Sequence, residues 1–242
     1  MTELHNSTPR LLTAQDGGFR LKWRADQPDC RQILTAFRAG ELTGKPMGYG
    51  GHPDRKVYQV FWNGRPFVLK WDREKDRRPE KRWLEFWTGT AFSRLIRLTC
   101  RSRLNGGRTA QDVYLVAERL EGRHFQEGYL IAEFVEGGFL DRERAAEAAP
   151  SMAEAVARLH EEGLASSDLH LGNFIVVQDG LRIIDLSLKS PLIVCQANDI
   201  LRMRRDYGVR LEVRGAGLKC LVAGLELIGT IKTVLRKWRG KL

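Results

Sequence analysis

An α+β fold of two lobes is what this sequence predicts, a β-rich lobe followed by a mainly helical one. Three observations carry it. The first half holds runs of strand-forming residues broken by turn signals. The second half holds apolar residues at three- and four-residue steps. One short apolar hairpin interrupts the helices of that second half. A length of 242 residues suits one domain of two lobes, or two small domains.

The elements follow in chain order. The first forty or so residues carry no assignment. "VYQVFW" (57–62) and "RPFVLKW" (65–71) flank Asn63-Gly64, a strong hairpin signal. Next, "RRPEKRWLEFWTGTAFSRLIRLTCRSRL" repeats apolar positions with a helical period and reads as one or two basic helices. Trp83 and Trp87, four apart, read there as core packing. "DVYLVAERL" (112–120) and "GYLIAEFV" (128–135) are two further strands, and a linker falls near Phe134 to Gly138. "DRERAAEAAPSMAEAVARLHEEG" reads as helix, restarted at Pro150 and stopped by Gly163. "FIVV" and "LRIIDL" pair across Asp179-Gly180. "NDILRMRRDYGV" is a helix with a glycine stop, and the tail "LKCLVAGLELIGTIKTVLRKWRGKL" is amphipathic with a basic end. The expected division is a first lobe over 1–132, a hinge over 133–138 and a helical lobe over 139–242.

Composition narrows the class. The net charge is +10. From Arg65 to Arg108 there are 13 Lys/Arg against 5 Asp/Glu, and from Leu211 to Leu242 there are 7 against 2. Such surfaces meet anionic partners. No nucleic-acid-binding motif accompanies the charge, so nucleic acid is not expected, and no obligate protein partner is evident. The four cysteines are scattered without metal-type spacing, which fits free thiols in a reducing compartment. His170 has no matching third ligand for a transition metal. No signal segment and no run long enough to span a bilayer is seen, so a cytoplasmic protein is expected.

The chemistry gathers in "SSDLHLGNFIVVQDGLRIIDLS", residues 166 to 187. Asp168-x-x-x-x-Asn173, an apolar hairpin and then Asp185 is the catalytic-loop and metal-site pattern of protein-kinase-like enzymes. In phosphoryl transfer the protein positions groups and neutralises charge. Asp168 suits the proton of an attacking hydroxyl. Asn173 and Asp185 offer the oxygen ligands that Mg²⁺ takes beside ATP phosphates. Lys70, in "PFVLKWD", has the strand form of the phosphate-contacting lysine, and Glu80 and Glu85 are its candidate acidic partners. Gly48, Gly50 and Gly51 suit a turn over the phosphates. The backbone of Glu133 to Val135, in the hinge, suits pairing with adenine.

Over Leu159 to Val209, "LHEEGLASSDLHLGNFIVVQDGLRIIDLSLKSP" and "NDILRMRRDYGV" resemble the lipopolysaccharide core heptose kinases of Gram-negative bacteria, the heptose(II) kinase type in particular. The likeness is looser over "FVLKWD", "YLVAERL" and "YLIAEFVEG" and absent over the first forty residues. It implies a bilobal protein-kinase-like fold and an ATP- and Mg²⁺-dependent transfer to a heptose of the inner core, at the cytoplasmic face of the inner membrane. It implies Asp168 as catalytic aspartate, Asn173 and Asp185 as metal ligands, Lys70 as the phosphate contact, and Glu80 rather than Glu85 as the partner of Lys70. The acceptor would be an anionic glycolipid, and the tail "TVLRKWRGKL" would suit peripheral contact with the membrane. The alternatives are a related kinase for another sugar, small molecule or protein side chain, and a pseudokinase module at the membrane. Loss of Lys70, Asp168, Asn173 or Asp185 would mark the latter, and all four are present.

Overall fold

The computed structural model describes residues 10–47, 53–73, 79–141, 143–188 and 190–238. The chain forms two compact units, Met1–Glu136 and Gly137–Leu242.

The first unit is built on β1 (Leu11–Asp16), β2 (Phe19–Arg24), α1 (Asp29–Ala39), β3 (Lys45–Pro46), β4 (Arg55–Trp62), β5 (Arg65–Arg73), α2 (Pro79–Thr88), α3 (Ala91–Leu104), β6 (Val113–Glu121) and β7 (His124–Glu133). The strands make one antiparallel sheet in the order β1-β2-β6-β7-β5-β4-β3. The Asn63-Gly64 hairpin forms as expected, with φ of 49° and 76°, the left-handed pair that a two-residue turn between twisted strands requires. The β1–β2 hairpin repeats the device at Gly17-Gly18, with φ of 53° and 79°. It lies in the stretch that carries no assignment from sequence.

The two-residue period of the strands sorts this sheet into two faces. Leu21, Trp23, Val60, Phe67, Leu69, Leu115 and Ile131 share one face and bury Cys30, Ile33 and Leu34 of α1 against them. Lys22, Val68, Lys70, Val116, Leu130 and Ala132 fall on the other, by their registers. Helix α3 packs on that second face. Its N-cap Thr90 accepts the Ser93 N–H at 3.1 Å, and both hydroxyls donate to the buried Glu118 of β6. Lys22 Nζ donates to Ser93 Oγ at 2.9 Å. The predicted basic helical stretch is thus two helices, broken at Gly89, whose φ is 78°.

The second unit holds β8 (Gly138–Phe139), α4 (Ala145–Glu161), a 3-10 turn (Leu171–Asn173), β9 (Phe174–Val177), β10 (Gly180–Ile183), α5 (Leu192–Tyr207) and α6 (Ala216–Trp238). A small sheet runs β10-β9-β8. Met152, Ala155, Val156 and Leu159 give α4 its buried face. Ala197 and Ile200 of α5 pack on Val222 of α6.

Three expectations change. Helix α4 does not restart at Pro150 but runs through it. Proline removes one backbone donor, here one turn past the helix start, so the Ala146 carbonyl loses its i+4 partner, and the buried face of Met152, Ala155, Val156 and Leu159 carries the helix through. The strand "LRIIDL" stops at Ile183, because Asp185 takes a left-handed φ of 56° that leaves the ladder. Trp83 and Trp87 are not core: each is 69% exposed. Helix α2 sits on β7 through Glu85, and four-residue spacing alone does not say which helix face is turned inward.

Candidate active site

The segment 166–173 and the segment 184–187 are bound to each other at both ends. The Ile184 N–H donates to the Asn173 carbonyl at 2.9 Å. The Ser187 N–H donates to the Ser166 carbonyl at 3.1 Å, and its hydroxyl donates to the same oxygen at 3.2 Å. Asp168 and Asp185 lie between those two ties, one on each segment. The β9–β10 hairpin supplies the return, with Phe174 opposite Ile183 and Val177 opposite Gly180. Four residues per strand are enough to bring Asp185 back beside the loop that starts the hairpin.

Each polar group has a defined setting. Asn173 is buried, and its Nδ2 donates to the Asp168 carbonyl at 2.8 Å. That bond fixes the loop and leaves Oδ1 as the acceptor end of the side chain. Asp185 is exposed, and its left-handed backbone turns it out of the strand direction. A carboxamide oxygen and a carboxylate form a hard, oxygen-only donor pair, which fits Mg²⁺ and not a soft metal. Asp168 is exposed, and its Oδ1 accepts from Arg202 at 2.6 Å. Arg202, on α5, also reaches Asp206 at 3.2 Å.

A residue that sequence reading missed sits beneath this loop. Asp199 of α5 is 1% exposed. Its carboxylate accepts the backbone N–H groups of Ser166 and Ser167, both at 2.8 Å, and contacts His160 Nε2 at 3.2 Å. Ser167 has a φ of 66°, a conformation a serine adopts only when its surroundings hold it there. A charged acceptor for two adjacent N–H groups is such a hold. Nothing in "NDIL" marks this aspartate, because its partners lie more than thirty residues upstream.

In the first unit, Lys70 lies on β5 between Val57 of β4 and Leu130 of β7, on the α3 face. Val68 shares that face, opposite Ala132. Glu85 is buried and accepts the Phe125 N–H at 3.3 Å. Phe125 is five residues along β7 from the partner of Lys70, about 17 Å of strand, so Glu85 serves the anchoring of α2. The side chain of Glu80 and the glycines Gly48, Gly50 and Gly51 lie outside the described residues. Glu133 ends β7 in a polar knot. Its N–H donates to the Asp112 carbonyl at 2.9 Å, its carbonyl accepts from Gln111 Nε2 at 2.7 Å, and its carboxylate accepts the Asp112 N–H at 3.1 Å. The Asp112 carboxylate pairs with Arg24 at 3.1 Å, and burial pushes its pKa up against that pull. Val135 lies beyond the end of β7 in irregular chain.

Comparison with known proteins places the chain. Residues 52–241 match the family model described as lipopolysaccharide core biosynthesis protein (WaaY). The chain is 30% identical over 190 residues to the lipopolysaccharide core heptose(II) kinase WaaY of Escherichia coli strain K12, covering 78% of this chain and 80% of that protein. It is 32% identical over 194 residues to a second Escherichia coli protein of the same description, covering 78% and 81%. The matched region contains Lys70, Asp168, Asn173, Asp185 and Asp199 together, and on that extent the chain belongs to the WaaY family of lipopolysaccharide core biosynthesis proteins.

Proposed function

We infer that this protein is a kinase that transfers the γ-phosphate of ATP to a hydroxyl of a heptose, heptose II, in the lipopolysaccharide inner core. The observation that carries the reading is the double tie between segments 166–173 and 184–187, which sets Asp168, Asn173 and Asp185 around one loop. The Escherichia coli relatives bear the name of that activity.

The roles follow from the settings. Asp168, solvent-facing at the loop, takes or orients the proton of the attacking hydroxyl. Asn173 and Asp185 hold Mg²⁺, which supplies neutralisation of the phosphate oxygens when bound. Lys70, on the α3 face, contacts the phosphates, with Glu80 as its acidic partner. The glycines Gly48 and Gly50 close over them. The hinge over 133–138 receives adenine, with backbone groups at Glu133 and Val135; the Glu133 carbonyl keeps a second lone pair beside the bond from Gln111. Units 1–132 and 139–242 act as nucleotide-binding and catalytic lobes. The acceptor is an anionic glycolipid, and a peripheral seat on the cytoplasmic face of the inner membrane follows from that substrate. Among the described residues no helix is long and apolar enough to cross a membrane.

The test is transfer of labelled γ-phosphate from Mg-ATP to purified, unphosphorylated core lipopolysaccharide, with mass spectrometry of the product. One added phosphate on heptose II is expected, lost with Asp185→Ala. Transfer to another sugar would reassign the acceptor. ATP binding abolished in the wild type would remove the enzymatic reading altogether.

A further inference from the structure

Helix α2 has an aromatic face that the first unit does not cover. Trp83, Phe86 and Trp87 stand at three- and four-residue spacing, so they share one side of the helix. Phe86 is 46% exposed, beside the two tryptophans already described as open to solvent. The rings contact one another, with centroids 6.0 Å apart for Trp83 and Trp87 and 5.4 Å for Phe86 and Trp87. With His124 they line a pocket of about 320 Å³. The opposite side of the helix is fixed by Glu85, whose carboxylate takes the Phe125 N–H. Packing therefore holds the aromatic side outward. Three large aromatics left together on a surface mark a place of contact.

Charge indicates with what. The Arg123 guanidinium lies 4.6 Å from the centre of the Phe86 ring and donates to the Phe86 carbonyl at 3.2 Å. The ten residues leading into the patch, 73–82, contain six Lys/Arg against three Asp/Glu. Surfaces built for another protein keep arginine beside their aromatics but deplete lysine, and the run leading into this patch holds Lys75 and Lys81 among its six cations. Here cations accompany the rings in sequence and at Arg123. Tryptophan with adjacent arginine and lysine is the composition that settles at the headgroup level of an anionic bilayer. The rings enter the acyl boundary, and the N–H groups and cations meet phosphate.

We propose that the aromatic face of α2 docks on an anionic phospholipid bilayer and so brings the first unit to a membrane-embedded acceptor. The acceptor half of this statement rests on the function inferred above; the bilayer half stands on the patch and its charge.

Flotation with vesicles of phosphatidylethanolamine and phosphatidylglycerol, against phosphatidylcholine vesicles, tests it on the full chain. The wild type should float with the anionic vesicles only. The double variant Trp83→Ser, Trp87→Ser should keep its thermal transition and bind them about tenfold or more weakly. It should match the wild type on a deacylated, water-soluble core acceptor and fall behind on acceptor embedded in vesicles. Undiminished flotation of the double variant overturns the proposal. So does failure of the wild type to float. Loss of transfer to the soluble acceptor would make the face a sugar site instead. A wild-type dimer that the double variant dissociates would make it a self-association surface. Flotation does not depend on catalysis, so a wild type that floats but phosphorylates neither acceptor refutes the inferred function and leaves the bilayer surface standing.

Discussion

Asp199 is the residue whose loss should separate support from chemistry. It contacts no residue assigned to the phosphates or the metal, yet it accepts two adjacent backbone N–H groups just before Asp168. Asp199→Ala leaves the buried Ser166 N–H and the half-buried Ser167 N–H without an acceptor, and we expect a loss of about 3 kcal/mol, read by urea denaturation. Asp168→Ala removes an exposed side chain, so the fold should keep its stability while transfer is abolished. A stable Asp199→Ala protein, or an Asp168→Ala protein with near-normal turnover, would reverse these roles. Arg202 differs from both. Its bond to Asp168 is solvent-exposed and contributes at most about 1 kcal/mol to stability. What it fixes is the direction of the carboxylate. Arg202→Gln should therefore lower kcat by roughly tenfold with an unchanged melting temperature; an unchanged kcat would show that substrate binding displaces the arginine before the chemical step. Asp168, Asn173 and Asp185 were legible in the sequence because a loop and a short hairpin encode their proximity locally. Asp199 and Arg202 were not, because only the docking of α5 brings them to that loop.

At the scale of elements, the join between β7 and β8 is the most constrained piece of backbone. A Cβ at Gly137 would stand 2.3 Å from the Val176 carbonyl oxygen and 2.5 Å from Ile175 Cγ2. Both neighbours belong to β9, which leads directly out of Asn173. Gly137→Ala must push β8 off β9, at a cost of about 1–3 kcal/mol. Thermal unfolding checks this, and a variant as stable as the wild type would mean that β8 is dispensable. Upstream, the knot at Asp112 makes a pH prediction. Burial raises this carboxyl in the folded state, so proton binding favours folding below its unfolded pKa, and that benefit fades as pH rises through the folded value. Relative to Asp112→Asn, the wild type should thus gain stability as pH falls from about 7 to about 4, read as the difference in urea midpoints. Several of these elements were legible: Asn63-Gly64 names its own turn, and Gly208 ends α5 at a φ of 69° as a glycine stop should. The β1–β2 hairpin carried usable signals too, at Gly17-Gly18 and in the strict apolar–basic alternation of Phe19 to Arg24, although β1 itself alternates weakly. The outward turn of Trp83 and Trp87 was not encoded by spacing, since a period of four fixes a shared side but not which side the sheet takes.

At the scale of the whole molecule, each of the two units has buried residues of its own, and the cysteines report on them separately. Cys30 and Cys100 are buried in the first unit and Cys195 in the second, while Cys220 is exposed on α6. Burial pushes the Cys30 thiol up to about 12, so it is both shielded and protonated at neutral pH. In the native protein a thiol reagent should therefore modify Cys220 rapidly and the other three slowly. The second unit spans 106 residues against 136 for the first, counted from 137–242 and 1–136. A smaller unit buries a smaller fraction of its surface and is held less strongly. Its candidate-site segments, 166–173 and 184–187, also carry non-glycine residues at left-handed φ, at Ser167 and Asp185. Across a urea series with pulsed alkylation and mass spectrometry, Cys195 should become reactive at lower urea than Cys30 and Cys100. On the proposed function, saturating Mg-ATP should bind the folded state and move all three midpoints upward. Coincident midpoints for Cys30 and Cys195 without ligand would mean that the units unfold as one, and that strain at Ser167 and Asp185 is borne by the whole chain. Separated midpoints that converge when Mg-ATP is added would mean that the nucleotide couples two otherwise independent cores.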